Sequence, residues 1–528
     1  MKKHIPLILI LLLGAVLRFY NNTLISLWHD EAFSAFMIRY PWGEMFYRLG
    51  LDVHPPMYYV FLRFWSYIFG GSLLALRGMS IFFGVASVWA GYIFVKESFK
   101  NEKAALWAAV FIAISPFQLQ YVTEARMYTF GAFFAILSAY FLVRSLNLQK
   151  ALHETAALNM PNLPESRDLR KKMLWSFADF TLSTIIIIYT HYYLFFTAAA
   201  LGFYGLLFLF FHHKWDFKKY IPFLLSFAAI ILSFLPWLKI FLFQYRQVQA
   251  GYWISKMNIW SIPSTFWDML FDFERDIAKS STRLLLFLVT LFSIWMLYRF
   301  LRKTESFAKW LVALAVAAPF GGALLFALLA WLKGSASSVY LDRYFLFASL
   351  FYSIALAVWL KEIKIKWLSV SLFLIYCVLN LSAFMHYWIQ LDVRSKPGMG
   401  AAARYLKANV EPKHHVFVGT SFEFFNAKYY AEVLQPLPVR PLLYTGGRKY
   451  ASQLSHVEGS ALLTDQDLVP DFKTAANPGD TVWLVWTYAF GSQKPDTPVN
   501  WQKIVEMEYP DVRPYPGAGI FVTQYVVN

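Results

Sequence analysis

Cysteine is all but absent. Cys377 is the only one in 528 residues and lies inside an apolar run, which excludes an intrachain disulfide. Charge is scarce as well: Asp, Glu, Lys and Arg make up 15% of the chain, against about 25% in a soluble globular protein. Acids are the scarcer sign, 32 against 48 Lys and Arg, for a formal net charge of +16. Such an excess raises nucleic acid as a partner. The bases, however, fall in short clusters between apolar runs, which is a membrane-topology pattern and argues against nucleic acid. No repeat of 20–50 residues is evident, and no His, Cys, Asp or Glu spacing matches a metal-ligand signature.

What is abundant is apolar sequence, 58% of the chain. A membrane-spanning helix needs about 20 such residues. Met1-Lys2-Lys3-His4 followed by Ile5 to Leu17 has the form of a signal peptide. Arg18-Phe19-Tyr20-Asn21-Asn22 offers no small-residue cleavage site, so an uncleaved anchor with a cytoplasmic amino end is expected. Further spans are expected over 78–95, 104–121, 127–145, 174–190, 192–211, 220–238, 283–300, 310–331, 344–360 and 367–387. Pro55 to Phe69 is short and carries Arg63 in its middle; counted as a span, it would invert every later loop. Left out, it places Lys96, Lys100 and Lys103, then Arg144 to Lys172, Lys214 to Lys219, Arg299 to Lys309 and Lys361 to Lys366 on one side. Every cytoplasmic turn is then basic, as the positive-inside rule requires. The expectation is a polytopic α-helical protein of the plasma (inner) membrane with about eleven transmembrane helices. Its first outer loop covers 21–77, with 55–69 as an interfacial or re-entrant helix, and 146–173 reads as a mobile cytoplasmic loop.

From about residue 390 the composition turns to Pro, Gly and charge. Alternation around 416–418, 481–485 and 520–522 predicts strands, and 399–409 and 421–433 read as helices. The chain thus divides into a transmembrane catalytic part, 1–390, and an extracytoplasmic soluble α/β domain, 391–528.

With this topology the unusual polar residues gather on the outer side: Asp30 and Glu31, Asp52 and His54, Glu124 and Arg126, His191, Asp342 and Arg343. Ionisable groups beside apolar spans are costly and mark pathways or sites. Each also has a plainer reading. Asp30 would cap a helix over 31–39, and His54 one opening at Pro55-Pro56. His191 would join an aromatic belt, and Arg126 and Arg343 would snorkel to headgroups.

The wording and order of the motifs favour a site. "WHDEAFS", "DVHPPMYYVFLRFW", "SPFQLQYVTEARMYTF", "THYYLFF" and "DRYFLF" resemble the bacterial relatives of the dolichyl-phosphate-mannose protein mannosyltransferases. The lipid A aminoarabinose transferases belong to the same GT-C group, and the resemblance covers residues 1 to about 390. Where the eukaryotic relatives follow the HPPL motif with Gly-Lys, this chain has Met57-Tyr58-Tyr59. The resemblance implies a sugar on a polyprenyl phosphate, transferred with inversion to an acceptor hydroxyl of a glycan, lipid or protein. Asp30 matches the family's catalytic acid, and Glu31, placed with it in the catalytic pair, either orients the acceptor or is a bystander.

The chemistry agrees with that implication. An inverting displacement needs a base for the acceptor proton, and the departing lipid phosphate needs cationic donors. Arg126 and Arg343, with Tyr128 and Tyr344, are the candidates for the phosphate. His54, Tyr58, Tyr59, Glu124, His191 and Asp342 are candidates for the substrates. No cofactor is required. A divalent metal is left open, with His54, His191, Asp30, Glu31 and Glu124 as donors of the right type. Two alternatives stand beside this reading: a lipid or polysaccharide transporter or flippase, whose inverted repeats are not evident here, and a polymerase using a diphosphate-linked donor.

Overall fold

The computed structural model describes residues 4–157, 164–250, 254, 256–271, 278–332, 338–512 and 519–528. In chain order its first helices are α1 (Ile5–Phe19), α2 (His29–Met37), α3 (Trp42–Leu51), α4 (Met57–Phe69), α5 (Leu73–Phe99), α6 (Glu102–Ile114), α7 (Pro116–Val122), α8 (Tyr128–Ala157) and α9 (Pro164–Ile188). There follow α10 (Leu194–His213), α11 (Ile221–Ala250), α12 (Ser261–Leu270), α13 (Ser280–Lys303), α14 (Ala308–Leu332), α15 (Leu346–Lys361), α16 (Lys366–Leu391), α17 (Gly398–Asn409) and α18 (Ser421–Tyr429). The strands are β1 (His415–Val418), β2 (Leu442–Tyr444), β3 (Leu468–Val469), β4 (Thr481–Thr487), β5 (Trp501–Pro510) and β6 (Gly519–Val527).

This is a multi-pass membrane protein. Among the described residues eight helices are long and apolar enough to cross a bilayer: α5, α8, α10, α11, α13, α14, α15 with the turn before it, and α16. The bent pair α6–α7 would make a ninth. Of the other expected spans, α1 has only 15 residues, about 22 Å at 1.5 Å per residue, and α9 opens on the charged run "PESRDLRKK". All eleven expected segments are helical, and among the described residues eight of these helices, or nine with the bent pair, are long and apolar enough to cross. Residues 146–157 and 164–173, expected as a loop, continue α8 and α9 as helix; 158–163 lie outside the described residues.

The chain forms two compact units. One comprises Met1–Tyr20, Ser80–Val122 and Met127–His386; the other comprises Asn21–Met79, Thr123–Arg126 and Tyr387–Asn528. In the first, α15 is the innermost helix, with 94% of its span buried, whereas α11, α13 and α16 bury only 22–28%. Their exposed Leu, Ile, Phe and Trp side chains would be a liability in water and suit lipid. The break between α6 and α7, bent by 51°, follows from Pro116, which has no N–H to offer the Ile112 carbonyl. Arg18 of α1 fills that need, donating from Nη2 to Ile112 O (3.1 Å) and from Nη1 to Ala113 O (2.9 Å). Gly84 makes the room: a Cβ there would stand 2.7 Å from Arg18 Nε.

The second unit joins α2–α4 and the start of α5 to the α/β domain. Its six-stranded sheet runs β3-β2-β1-β4-β6-β5, parallel across β3-β2-β1-β4 and antiparallel at β4–β6 and β6–β5. Phe417, Phe472, Leu484, Trp486, Trp501 and Tyr525 lie at its core. α4 has 13 residues, about 20 Å of helix, too short for the ~30 Å hydrocarbon layer. Its central Arg63 is accommodated within the unit, donating to Tyr67 Oη (2.6 Å) and stacking over Trp42 (4.2 Å). α18 packs on α2. The His29 ring lies between Phe422 and Phe425 at 5.4 and 5.5 Å, and Phe36 meets Tyr429 edge-on.

Candidate active site

In the second unit, α2 begins one turn after an apolar approach, and its N-cap is Trp28, with no side-chain cap bond. Asp30 therefore sits inside the first turn and is not the helix cap, contrary to the plainer reading. Helix α4 is likewise preceded by Pro56, not capped by His54.

Glu31 and Arg77 are both fully buried and form a two-pronged ion pair, Nε–Oε1 2.8 Å and Nη2–Oε2 2.7 Å. Glu31 Oε1 also accepts the Ala125 N–H at 2.8 Å. The remaining Arg77 donors go to the carbonyls of Asn22, Ile25 and Ser26. All five guanidinium N–H groups are consumed. This knot ties the loop before α2, the second turn of α5 and residue 125 together. Adjacent helix positions project about 100° apart, so burying Glu31 turns Asp30 off that face, and the Asp30 side chain keeps 23% exposure.

Arg126 lies beside it, only 4% exposed, with Nε 3.9 Å from Asp30 Oδ2. Its Nη1 approaches Asp30 O (3.3 Å), Ser34 Oγ (3.4 Å) and Tyr59 Oη (3.5 Å), and its Nη2 approaches His54 Nε2 at 3.3 Å. These distances are long beside the 2.7–2.9 Å of charge-assisted bonds. His54 Nδ1 lies 2.8 Å from Asp52 Oδ2. Because arginine can only donate, His54 Nε2 is assigned as the acceptor and Nδ1–H as the donor to Asp52. The result is a polar chain Asp52–His54–Arg126–Asp30. Tyr58 is buried within reach of Arg126, Glu31 and Glu124, and burial drives its hydroxyl pKa well above the ordinary value; Tyr59 is raised for the same reason. Both stay neutral.

In the first unit, Asp342–Phe345 form a 3-10 turn leading into α15. Asp342 Oδ1 accepts from Thr265 Oγ1 of α12 at 2.7 Å, and the Arg343 guanidinium lies 5.7 Å from the Tyr128 ring centroid. The buried His191 ring packs on Tyr344 at 4.7 Å and faces Tyr128 at 6.1 Å. Its Nδ1 accepts the Tyr193 N–H at 3.1 Å. Asp30, Glu31, His54, Tyr58, Tyr59, Glu124 and Arg126 are thus grouped in one unit, and Tyr128, His191, Asp342, Arg343 and Tyr344 in the other. Among the described residues no group of three or more His, Cys, Asp or Glu side chains is arranged to hold a metal ion. Sequence reasoning passed over Arg77, which precedes the expected 78–95 span by one residue. A lone arginine opening an apolar helix was the available signal.

Comparison with known proteins places this architecture. The family described as Dolichyl-phosphate-mannose-protein mannosyltransferase matches residues 53–157. Among solved structures, ArnT from Cupriavidus metallidurans bound to undecaprenyl phosphate is similar at a TM-score of 0.61 and 11% identity, over 98% of this chain and 97% of that one. Its apo state gives 0.63 with the same identity and coverage. The archaeal oligosaccharyltransferase AglB from Archaeoglobus fulgidus, in complex with an inhibitory peptide and a dolichol-phosphate, gives 0.53 at 13% identity, over 92% of this chain and 69% of that one. Among curated proteins none matches. The protein has the GT-C glycosyltransferase fold. Through residues 53–157 it is related to the mannosyltransferase family named above.

Proposed function

We propose that the protein is an integral membrane glycosyltransferase that moves a sugar from a polyprenyl-phosphate donor to an acceptor hydroxyl, with inversion. The observation that carries this reading is the pairing of a part-exposed carboxylate, Asp30, with the buried guanidinium of Arg126. Asp30 takes the acceptor proton as the new bond forms at the anomeric carbon. The bond from that carbon to the phosphate oxygen breaks, and the lipid phosphate leaves with the electron pair. Arg126 holds that phosphate, where donors matched to developing charge contribute most, and Arg343 with Tyr128 and Tyr344 is assigned to the same ligand class. Glu31, expected beside Asp30 in the catalytic pair, is assigned here to positioning, because its carboxylate is committed to Arg77 and Ala125. His54, Tyr58, Tyr59, Glu124, His191 and Asp342 are assigned to substrate binding.

The undecaprenyl phosphate of the ArnT structure and the dolichol-phosphate of the AglB structure support a lipid-phosphate ligand. The basic loops support a cytoplasmic amino end in the plasma membrane, transfer on the outer face, and an extracytoplasmic 391–528 domain. Incubating the purified protein with radiolabelled polyprenyl-phosphate sugars tests the reading: label should move to an acceptor and free polyprenyl phosphate should accumulate. Movement of intact lipid across vesicles without bond cleavage would instead mark a transporter.

A further inference from the structure

In the first unit, α8 and α9 enclose a cleft of about 260 Å³, lined on α8 by Phe141 and Arg144 and on α9 by a stripe from Asp168 to Asp179. Helical spacing makes the stripe: positions 168, 171, 172, 175, 176 and 179 recur at intervals of three and four and share one face. The apolar runs 127–145 and 174–190 end and begin here, so the cleft stands at the edge of the hydrocarbon layer. Trp175 lines it at 64% exposure, and Trp is favoured at headgroup level. Three cations and two carboxylates face the cleft. Lys172 is tied to Asp168 at 2.5 Å. Arg144 is steadied by Tyr140, whose Oη accepts from Nη1 at 2.7 Å, and no further hydrogen bond commits its fork among the described residues. Lys171 is exposed and makes no ion pair among the described residues.

We propose that this cleft binds the headgroup of an anionic phospholipid, its phosphodiester held between Arg144 and Lys171. Ser176 adds a hydroxyl donor, and Trp175 with Phe141 covers the glycerol end of the acyl chains. Basic pockets between membrane helices bind lipid headgroups in this way, and arginine grips phosphate through paired charge-assisted bonds. The lining carries one net positive charge, which a single phosphodiester neutralises, so an anionic headgroup is favoured over a zwitterionic one. The exposed Trp175 at the edge of two apolar runs favours a lipid over a free phosphate. None of the residues assigned to transfer belongs to this site.

Native mass spectrometry of the full chain in detergent tests this, with phosphatidylglycerol or phosphatidylethanolamine of identical acyl chains added in turn. Wild type should hold one phosphatidylglycerol in preference to phosphatidylethanolamine. Arg144→Gln and Lys171→Gln should each weaken that binding about fivefold or more, the scale of one basic residue at an anionic lipid surface. Arg144→Lys should fall between wild type and Arg144→Gln, because it keeps the charge and loses the fork. Lys218→Gln, on an exposed residue of another basic loop, should leave the binding unchanged. Should Arg144→Gln fail to fold, Lys171→Gln, at an exposed position, carries the test. Equal binding of the two lipids, unaltered binding in both glutamine variants, or an equal loss in Lys218→Gln would overturn the proposal. Glycerol phosphate binding as tightly as the whole lipid, with the same sensitivity to Lys171→Gln, would assign the cleft to a soluble phosphate and overturn the lipid assignment.

Discussion

Replacing Glu31 with alanine leaves the Arg77 guanidinium buried at 0% exposure without its carboxylate. Two charge-assisted bonds to Arg77 and one from Ala125 N–H are lost together. Breaking a buried ion pair by removing one partner costs about 3–5 kcal/mol, because the surviving charge keeps its desolvation cost. Glu31→Gln can keep the Oε1 contacts, but its amide would oppose the Arg77 Nη2 donor, so about 2–3 kcal/mol is expected. Thermal unfolding in detergent should then show the alanine variant melting roughly 5–10 °C below wild type, with glutamine between. The reasoning is refuted if Glu31→Ala melts with wild type and nonetheless loses transfer. Glu31 would then be acting on substrate, and the ion pair would be incidental.

Three further outcomes are expected. Arg126→Ala should weaken polyprenyl-phosphate binding by about 1.5–3 kcal/mol, with Arg126→Lys intermediate because it keeps charge and loses the fork; equal binding by all three would remove Arg126 from the donor site. Burial, reinforced by Asp511 and opposed by Asn426, pushes the Glu423 carboxyl up to about 8. A raised folded pKa means the native state holds a proton the unfolded chain releases, so this contribution is full below pH 4.5 and lost as pH rises through 8. Ionising Glu423 inside the fold costs on the order of 5 kcal/mol, so Glu423→Gln should flatten the fall in melting temperature between pH 5 and 8, and an unchanged slope would contradict this. In a Cys377→Ser background, Tyr450→Cys, on an exposed residue, should react with an impermeant thiol reagent in intact cells. Reaction only after the membrane is opened would reverse the proposed orientation.

The helical membrane class was legible because length, low charge and apolar runs act over tens of residues, and all eleven expected segments are helical. Less legible were features that depend on a partner distant in sequence. Pro116 announces a break, but not that Arg18 supplies the missing donor to Ile112. β5 was missed because "WQKIVEMEYP" is mostly exposed and shows little apolar alternation; its strand state comes from pairing with β6. At the site, residue types could be named from the motifs, whereas the burial of Glu31 beside a part-exposed Asp30 could not. Neighbours in sequence, they differ because Arg77 lies 46 residues away from Glu31 in the chain and beside it in the fold.

The most direct measurement is transfer by purified Asp30→Asn, with donor binding and melting temperature determined on the same preparation. Asparagine keeps the size and removes the base. A folded variant that binds polyprenyl phosphate as wild type does, and transfers sugar about 10²-fold or more slowly, is the predicted result. Near-normal turnover by that folded variant would show that another group removes the acceptor proton and would contradict the assignment of Asp30.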